Sequence, residues 1–386
     1  MGVRQEVGEV SMTKTTRSAV LERSGGNARP YAQSKPLRMA ELDLDSPGPG
    51  EVLVRIEAAG LCHSDLSVVN GDRVRPMPMA LGHEGTGIVE ATGPGVDGLA
   101  EGDRVVLVFL PSCGQCAACL SGEGYLCAPA AKANGVGELI GGGFRLHECG
   151  HDVHHHLGVS CFATHVVVDQ RSTVKVDRDI PPEVAAVFGC AVLTGVGAAI
   201  NSAKIQPGET VIVFGLGGVG LAALMGALAS GAATVIGVDL AQSKIDKAIE
   251  LGAVGVTPDG LADAIAANLP VGGADVVIET VGNARVLGEA YKAGRRGSRI
   301  VTVGLPPPDQ KLDISALSLV ADGKTLIGSY MGSAIPARDI PRYIALWQAG
   351  KLPVEKLITS LHKLDDLNEM LDAMDRGEAI RQIIRF

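Results

Sequence analysis

An apolar stretch, Val211-Ile-Val-Phe, runs straight into Gly215-Leu-Gly217-Gly218-Val219-Gly220, and few folds can use such a sequence. The pattern G-x-G-x-x-G after a strand and before a helix lets the chain turn at Gly215. It also lets backbone approach a pyrophosphate at Gly217 and packs helix on strand at Gly220. The helix N-terminus that follows attracts phosphate. Taken alone the pattern is weak. Here a second strand, Val235-Ile-Gly-Val, ends in Asp239, nineteen residues after Gly220. An acid there accepts a ribose hydroxyl and repels a 2′-phosphate, which favours NAD over NADP. The bland alternative is an ordinary glycine turn with a surface aspartate.

The surrounding texture agrees with a doubly wound parallel sheet. Strands are expected at Thr210–Gly215, Thr234–Asp239, Ala274–Thr280, Arg299–Gly304 and Thr325–Tyr330. Helices are expected between them, such as Val219–Ser230 and Ser243–Leu251, the second closed by Gly252. From about Ala19 to Val192 the texture differs. Short alternating strands such as Glu51–Glu57 and Asp103–Phe109 sit between Gly and Pro turns, as in a β-rich, barrel-like domain. Helices near Arg338–Gly350 and Asp365–Arg376 and a last strand, Ala379–Phe386, are expected to return to that domain. The Gly- and His-rich segment Ala128–Cys161 reads as a long irregular loop.

A chain of 386 residues, 46% hydrophobic and 20% charged, has enough apolar material for two or three packed domains. The net charge is −9 and no basic cluster stands out, which argues against nucleic acid and anionic membranes as partners. No stretch approaches a membrane span. Residues 1–17 are polar, lack a signal-peptide core and read as a disordered extension, with Met12 an alternative start. The cytoplasm is the default location.

There are eight cysteines, and their close spacing in a long chain favours metal over disulfides. Cys113-Gly-Gln-Cys116-Ala-Ala-Cys119, followed after seven residues by Cys127, suits a closed tetrahedral zinc site of structural type. Free or redox-active thiols and an iron–sulfur cluster are the alternatives. A bacterial ferredoxin run has a three-residue fourth gap and a following proline, which this run lacks. Two further turns, Gly60-Leu-Cys62-His63-Ser64-Asp65 and Gly82-His83-Glu84-Gly85, and the distant Phe188-Gly-Cys190 contain a possible Cys2His set. That set is known for zinc with one open position. Spacing alone does not assemble it, because a lone His or Cys is more often a packed core residue.

Together these pieces resemble the zinc-containing medium-chain alcohol dehydrogenases, from about Ser18 to Phe386. The resemblance rests on G-L-C-H-S-D (60–65), L-G-H-E-G-T-G-I-V-E (81–90), the four-cysteine run, F-G-C-A-V-L-T-G (188–195), G-L-G-G-V-G (215–220), G-V-D (237–239) and the tail G-E-A-I-R (377–381). It implies a GroES-like catalytic domain, 1–191 and 331–386, split around a Rossmann domain, 192–330. It implies two zinc ions per chain. One is catalytic, on Cys62, His83 and Cys190; the other is structural, on Cys113, Cys116, Cys119 and Cys127. Glu84 would lie behind the catalytic ion and Asp65 would orient His83. NAD would meet Asp239 and Lys244 at the adenosine ribose, His63 and Arg381 at the pyrophosphate, and Thr194 and Val219 at the nicotinamide, over the turn Gly215, Gly217, Gly218, Gly220. The implied reaction is reversible oxidation of a primary alcohol, with a secondary alcohol as the alternative. Ser64 would start a proton relay to solvent as hydride passes to nicotinamide.

Two departures qualify the match. Where some members carry a relay His, five residues after the first zinc Cys, this chain has Ser67. Where glutathione-dependent formaldehyde dehydrogenases carry a substrate-gripping Arg, it has Ala131 beside Lys132, which is no equivalent of a forked guanidinium. Oxidation of a thiol adduct therefore ranks below that of simple alcohols. A zinc-free quinone reductase and a non-catalytic zinc- and NAD-binding protein remain the rival readings; seven zinc ligands argue against the first and Ser64 against the second. Phe109, His156, Leu305 and Tyr330 are the expected substrate pocket. His147, Cys149, His151, His154 and His155 could suggest a third metal, though a lid or subunit-contact loop is the simpler reading. A homodimer is expected, with a tetramer possible.

Overall fold

The computed structural model describes residues 14–386. Three β-layers carry the chain. Five strands, Lys14–Leu21, Leu37–Leu44, Leu146–Glu148, His151–His155 and Met79–Ala80, close into a small barrel. A second sheet is centred on the long strand Glu51–Leu61, which pairs antiparallel with Gly85–Thr92 on one side. On its other side it pairs with His165–Asp169 and, nearer its end, with Arg381–Arg385. The C-terminal strand thus returns to the first half of the chain, as its sequence suggested. The third layer is a parallel sheet of six strands, led by Thr210–Phe214 at its centre. The fold is a GroES-like β-rich body split around a Rossmann sheet.

The parallel sheet is apolar on both faces, as helices on both sides demand. Val211, Val213, Val276 and Ile278 pack on one side, against the helix Gly218–Ala229. Ile212, Ile236 and Val277 pack on the other, against Ala290 and Tyr291 of the helix Ala284–Ala293. Helix Gln242–Glu250 is followed by Gly252 at φ +96°, the left-handed position that suits glycine after a helix. The helix expected near Arg338 begins two residues earlier. Pro336 occupies its first turn, where a missing N–H costs nothing.

Two expectations need correction. The segment Ala128–Cys161 is not an irregular loop. It forms the helix Ala128–Val136 and the strands Leu146–Glu148 and His151–His155, whose Leu146 and Val153 fill the barrel core. Its glycines and histidines hid a short-strand period. The extension expected over 1–17 ends sooner, because Lys14 to Arg17 already belong to a strand paired with Leu37–Leu44. The rest of that extension, with Met12, lies outside the described residues.

Candidate active site

The strand Glu51–Leu61 delivers Cys62 to the head of a seven-residue helix, His63–Val69. Asp65 caps that helix: its Oδ2 accepts from the Cys62 N–H at 3.0 Å. Its other oxygen, Oδ1, faces His83 Nδ1 at 3.0 Å. His83 arrives from a different turn, beyond Gly82, whose φ of +98° and contact with Phe162 leave no room for a Cβ. Cys190 lies between the helices Pro182–Val187 and Ala191–Gly197. The Sγ atoms of Cys62 and Cys190 and a ring nitrogen of His83 all lie within 4.8 Å of one another, and Cys190 Sγ is 3.5 Å from His83 Nε2. With metal–sulfur and metal–nitrogen bonds near 2.3 and 2.05 Å, a tetrahedron puts such atoms about 3.6 Å apart. The trio is spaced to hold zinc.

Electrostatics favour a cation there. Hydrogen bonding to Cys190, with Arg381 and His83 close by, holds the Cys62 thiol well below its usual value against the cost of burial. The same bond pushes Cys190 up. Burial would raise Asp65, but His83 and His156 overcome it and hold the carboxyl at about 2. Glu84 is fully buried and is raised to about 7 by burial; neither of its carboxylate oxygens has a hydrogen-bond partner. Arg381 Nη1 stands 3.4 Å from it. An orphaned carboxylate behind two thiols is the environment a divalent ion would relieve.

Cys113, Cys116, Cys119 and Cys127 form the second group, again within 4.8 Å of one another. Cys113 and Cys119 are 3.9 Å apart. That is close to the ~3.8 Å edge of a zinc–thiolate tetrahedron and far from a ~2.05 Å disulfide. Backbone N–H groups of Cys113 and Cys116 donate to Cys127 and Cys113 Sγ, each at 3.3 Å. Among the described residues no other His, Cys, Asp or Glu joins the group, as a closed site requires.

Between the two halves of the molecule runs a cleft of about 370 Å³. At its floor lie Cys62, His83 and Cys190; across from them lies the turn Gly215 to Gly220. Gly215 has φ +85°, and a Cβ on Gly220 would strike the Gly215 carbonyl. At Gly217 a Cβ would meet nothing, so the turn is open on that side. His63, Ser64, Ser67, Thr194, Val219, Asp239 and Lys244 line the same cleft. The carboxylate of Asp239 accepts from Leu216 N–H at 2.7 Å and Ala241 N–H at 2.9 Å, which fixes it at the rim of the turn. Ser67 donates its hydroxyl hydrogen to the His63 carbonyl at 2.9 Å.

Phe109, Leu305 and Tyr330 line the cleft as expected. Phe109 stands edge-on to both His83 and Tyr330. His156 also lines it but has a second relation that the sequence did not disclose: its Nδ1 is 3.1 Å from Asp65 Oδ1, sharing that oxygen with His83. Arg381, expected at a pyrophosphate, lines the cleft as well and is buried against the turn at Gly218. It donates to the Leu61 carbonyl and takes the space a Cβ on Gly218 would need. The remaining histidines do not converge. His147 bridges Asp45 and Asp152, His154 faces the Val136 carbonyl, and His155 accepts from Arg145 N–H. Among the described residues no metal-spaced group includes any of them or Cys149. Arg73 and Arg75 also line the cleft, and the sequence reading overlooked both. The signal was present as Asp-Arg73-Val-Arg75, an alternation that puts two guanidinium groups on one side of an extended segment.

A cleft between a Rossmann sheet and a β-rich body, floored by a buried Cys2His trio, defines a metal-dependent dehydrogenase. The comparisons are specific. Residues 48–178 match the alcohol dehydrogenase GroES-like domain, and 218–349 match the zinc-binding dehydrogenase domain. The chain is 39% identical to geraniol dehydrogenase of Castellaniella defragrans over 96% of its length and 98% of that protein. It is 37% identical to the NDMA-dependent alcohol dehydrogenase of Amycolatopsis methanolica, with the same coverage of each chain. The crystal structure of benzyl alcohol dehydrogenase from Acinetobacter calcoaceticus superposes with a TM-score of 0.88 at 32% identity, covering 97% of this chain and 99% of the other. The chain belongs to the zinc-containing medium-chain alcohol dehydrogenase family. It is an oxidoreductase of the zinc alcohol dehydrogenase type.

Proposed function

We propose that the protein oxidises a primary alcohol reversibly to its aldehyde, passing hydride to NAD. The observation that carries the reading is that the Cys62–His83–Cys190 trio and the glycine turn open into one cleft. Zinc held by the trio supplies Lewis acidity to a substrate hydroxyl. Gly217, Asp239, Thr194 and Val219 would hold NAD, which would supply the hydride acceptor. Ser64 Oγ takes up the hydroxyl proton and hands one on toward solvent. Ser67 can receive a hydrogen bond, but its own hydrogen is held by the His63 carbonyl, so it relays poorly. Asp65 fixes both Cys62 and His83, and Phe109 and Tyr330 shield the reacting carbon from water. Cys113, Cys116, Cys119 and Cys127 hold a second, structural zinc. His63 and Lys244 meet the phosphates and ribose of the cofactor.

Benzyl alcohol and geraniol, named for relatives, head the panel of alcohols to try. Appearance of NADH from NAD with any of them supports the reading. A chain that binds zinc and NAD yet reduces neither NAD nor NDMA with the whole panel is a binding protein instead. Oxidation only when a low-molecular-weight thiol accompanies formaldehyde would favour the thiol-adduct alternative. Ala131 and Lys132, exposed on the helix Ala128–Val136, offer that substrate no grip from within the cleft.

A homodimer accompanies this reading. The strand Thr325–Gly328 ends the parallel sheet with one unpaired edge, and Leu317 and Val320 nearby are 77% and 81% exposed. Edge pairing with a second copy would cover both; sedimentation at monomer mass would refute it. A cytoplasmic location fits eight free cysteines. No helix among the described residues is long and apolar enough to cross a membrane.

A further inference from the structure

Arg73 and Arg75 lack the partner that arginines in this protein otherwise have. Among the described residues, every other arginine that is not fully exposed faces a carboxylate, as Arg104 faces Glu57 and Arg145 faces Glu51. Arg73 reaches only the Leu305 carbonyl, at 3.4 Å. Arg75 donates to the Asn134 carbonyl at 3.2 Å, and its Nε is buried with no partner at all. Burial, against no compensating anion, lowers the Arg75 guanidinium from its usual value.

Both side chains line the cleft into which the metal-spaced trio opens, Arg73 against the Leu305 carbonyl. Tyr330 lines the same cleft, close enough for Arg75, Arg73 and Cys190 all to act on its hydroxyl. Among the described residues the lining contains a single carboxylate, Asp239, and that one sits at the nucleotide turn. In a protein of net charge −9, two arginines without carboxylate partners make this part of the cleft cationic, where an anion is both steered and held. An uncharged alcohol would leave the buried Arg75 guanidinium without an anion and Arg73 beside it unpaired, which costs rather than helps binding.

We propose that the substrate is an alcohol, or its aldehyde, bearing a carboxylate at the end away from the carbinol carbon, gripped by Arg73 and Arg75. This rests on the dehydrogenase reading and names its substrate class.

The test compares matched substrates, 4-(hydroxymethyl)benzoate against benzyl alcohol, in the zinc-loaded enzyme with NAD. The acid should have at least about tenfold the kcat/KM of the neutral alcohol, mostly through KM, and the advantage should shrink with added salt. In the Arg73→Gln/Arg75→Gln double variant the ratio of the two should fall by about tenfold or more, to near one. A second measurement needs no turnover: calorimetric titration with benzoate and with benzamide. Benzoate should bind at least about tenfold tighter, and that margin should vanish in the double variant. Equal ratios in wild type and double variant, or benzoate binding that the variant leaves intact, overturn the proposal. Benzoate held by the two arginines without any hydride transfer keeps the anion site and overturns the dehydrogenase reading.

Discussion

The two cysteine groups use similar ligands and are assembled in opposite ways. Cys113 to Cys127 lie within fifteen residues of sequence, on a partly exposed turn that needs little help from the rest of the fold. Cys62, His83 and Cys190 come from three elements and are buried, with Asp65, Glu84, Arg381 and Phe109 packed around them. The first group is a local clasp. The second exists only when the barrel, the central sheet and the helix pair flanking Cys190 are all in place. A closed four-thiolate site has no vacancy for a substrate, whereas three ligands at the floor of a cleft leave one. The contrast predicts that chemistry and stability separate along the same line.

The largest effect should follow Cys62→Ser. Turnover should fall by at least about a thousandfold, the loss of several kcal/mol of Lewis-acid stabilisation. Zinc measured by mass spectrometry of the native protein should drop from two to one per chain, while the melting temperature changes little. Full activity in that variant would remove the trio from the chemistry. The converse variant, Cys116→Ser, should lose the other ion and about 4 kcal/mol of stability, because losing a structural metal is among the costliest single changes. Its activity per folded molecule, titrated with NAD, should remain within a few-fold of wild type. If Cys116→Ser silenced catalysis without lowering stability, the division of labour would be wrong.

Asp65→Asn probes the support around the buried trio. One carboxylate oxygen fixes the Cys62 backbone and the other orients His83. An amide keeps the shape but loses the charge that stabilises the imidazole. Zinc affinity or kcat/KM should fall by about 10- to 100-fold, as for other carboxylates behind metal-bound histidines. The four-cysteine ion should be unaffected. Loss of both ions at equal rates in a chelator challenge would show that the two sites are not independent.

The same contrast explains what could be read from sequence. Cys113, Cys116, Cys119 and Cys127 announce themselves by spacing, since a local loop carries its geometry in its gaps. So does the turn at Gly215 to Gly220, where helix and strand are consecutive. The open trio was visible only through resemblance, because the contacts that unite Cys62 with Cys190 are spread over more than a hundred residues. Long-range pairings were the ones missed. The closeness of His156 to Asp65, the burial of Arg381 beneath Gly218, and the turning of Arg73 and Arg75 into the cleft depend on the barrel strands Leu146–Glu148 and His151–His155 or on the returning C-terminal strand. Those barrel strands were unrecognised because three and five residues, rich in Gly and His at their edges, show too few repeats of a two-residue period.

The smallest expected signal concerns protons. Metal binds thiolates, so each thiol still protonated must lose a proton on uptake, and affinity falls with acid accordingly. In the four-cysteine loop, N–H groups of Gln115 and Cys116 donate to Cys113 and hold its thiol at about 6, whereas burial lifts Cys119 to about 12. Cys113 is therefore already a thiolate near neutral pH and has no proton to displace, while Cys119 has one. In a Cys62→Ser background only this loop takes zinc. Calorimetry in buffers of different ionisation enthalpy should then show fewer than four protons released near pH 7. As pH falls through about 6, Cys113 becomes protonated in the metal-free loop. One further proton must then leave on binding, and the slope of log affinity against pH should steepen by about one. Release of four protons at neutral pH, with a constant slope across that range, would mean that the backbone donors do not pre-ionise Cys113. The loop would then be held together by its metal alone, with nothing prepared in the fold.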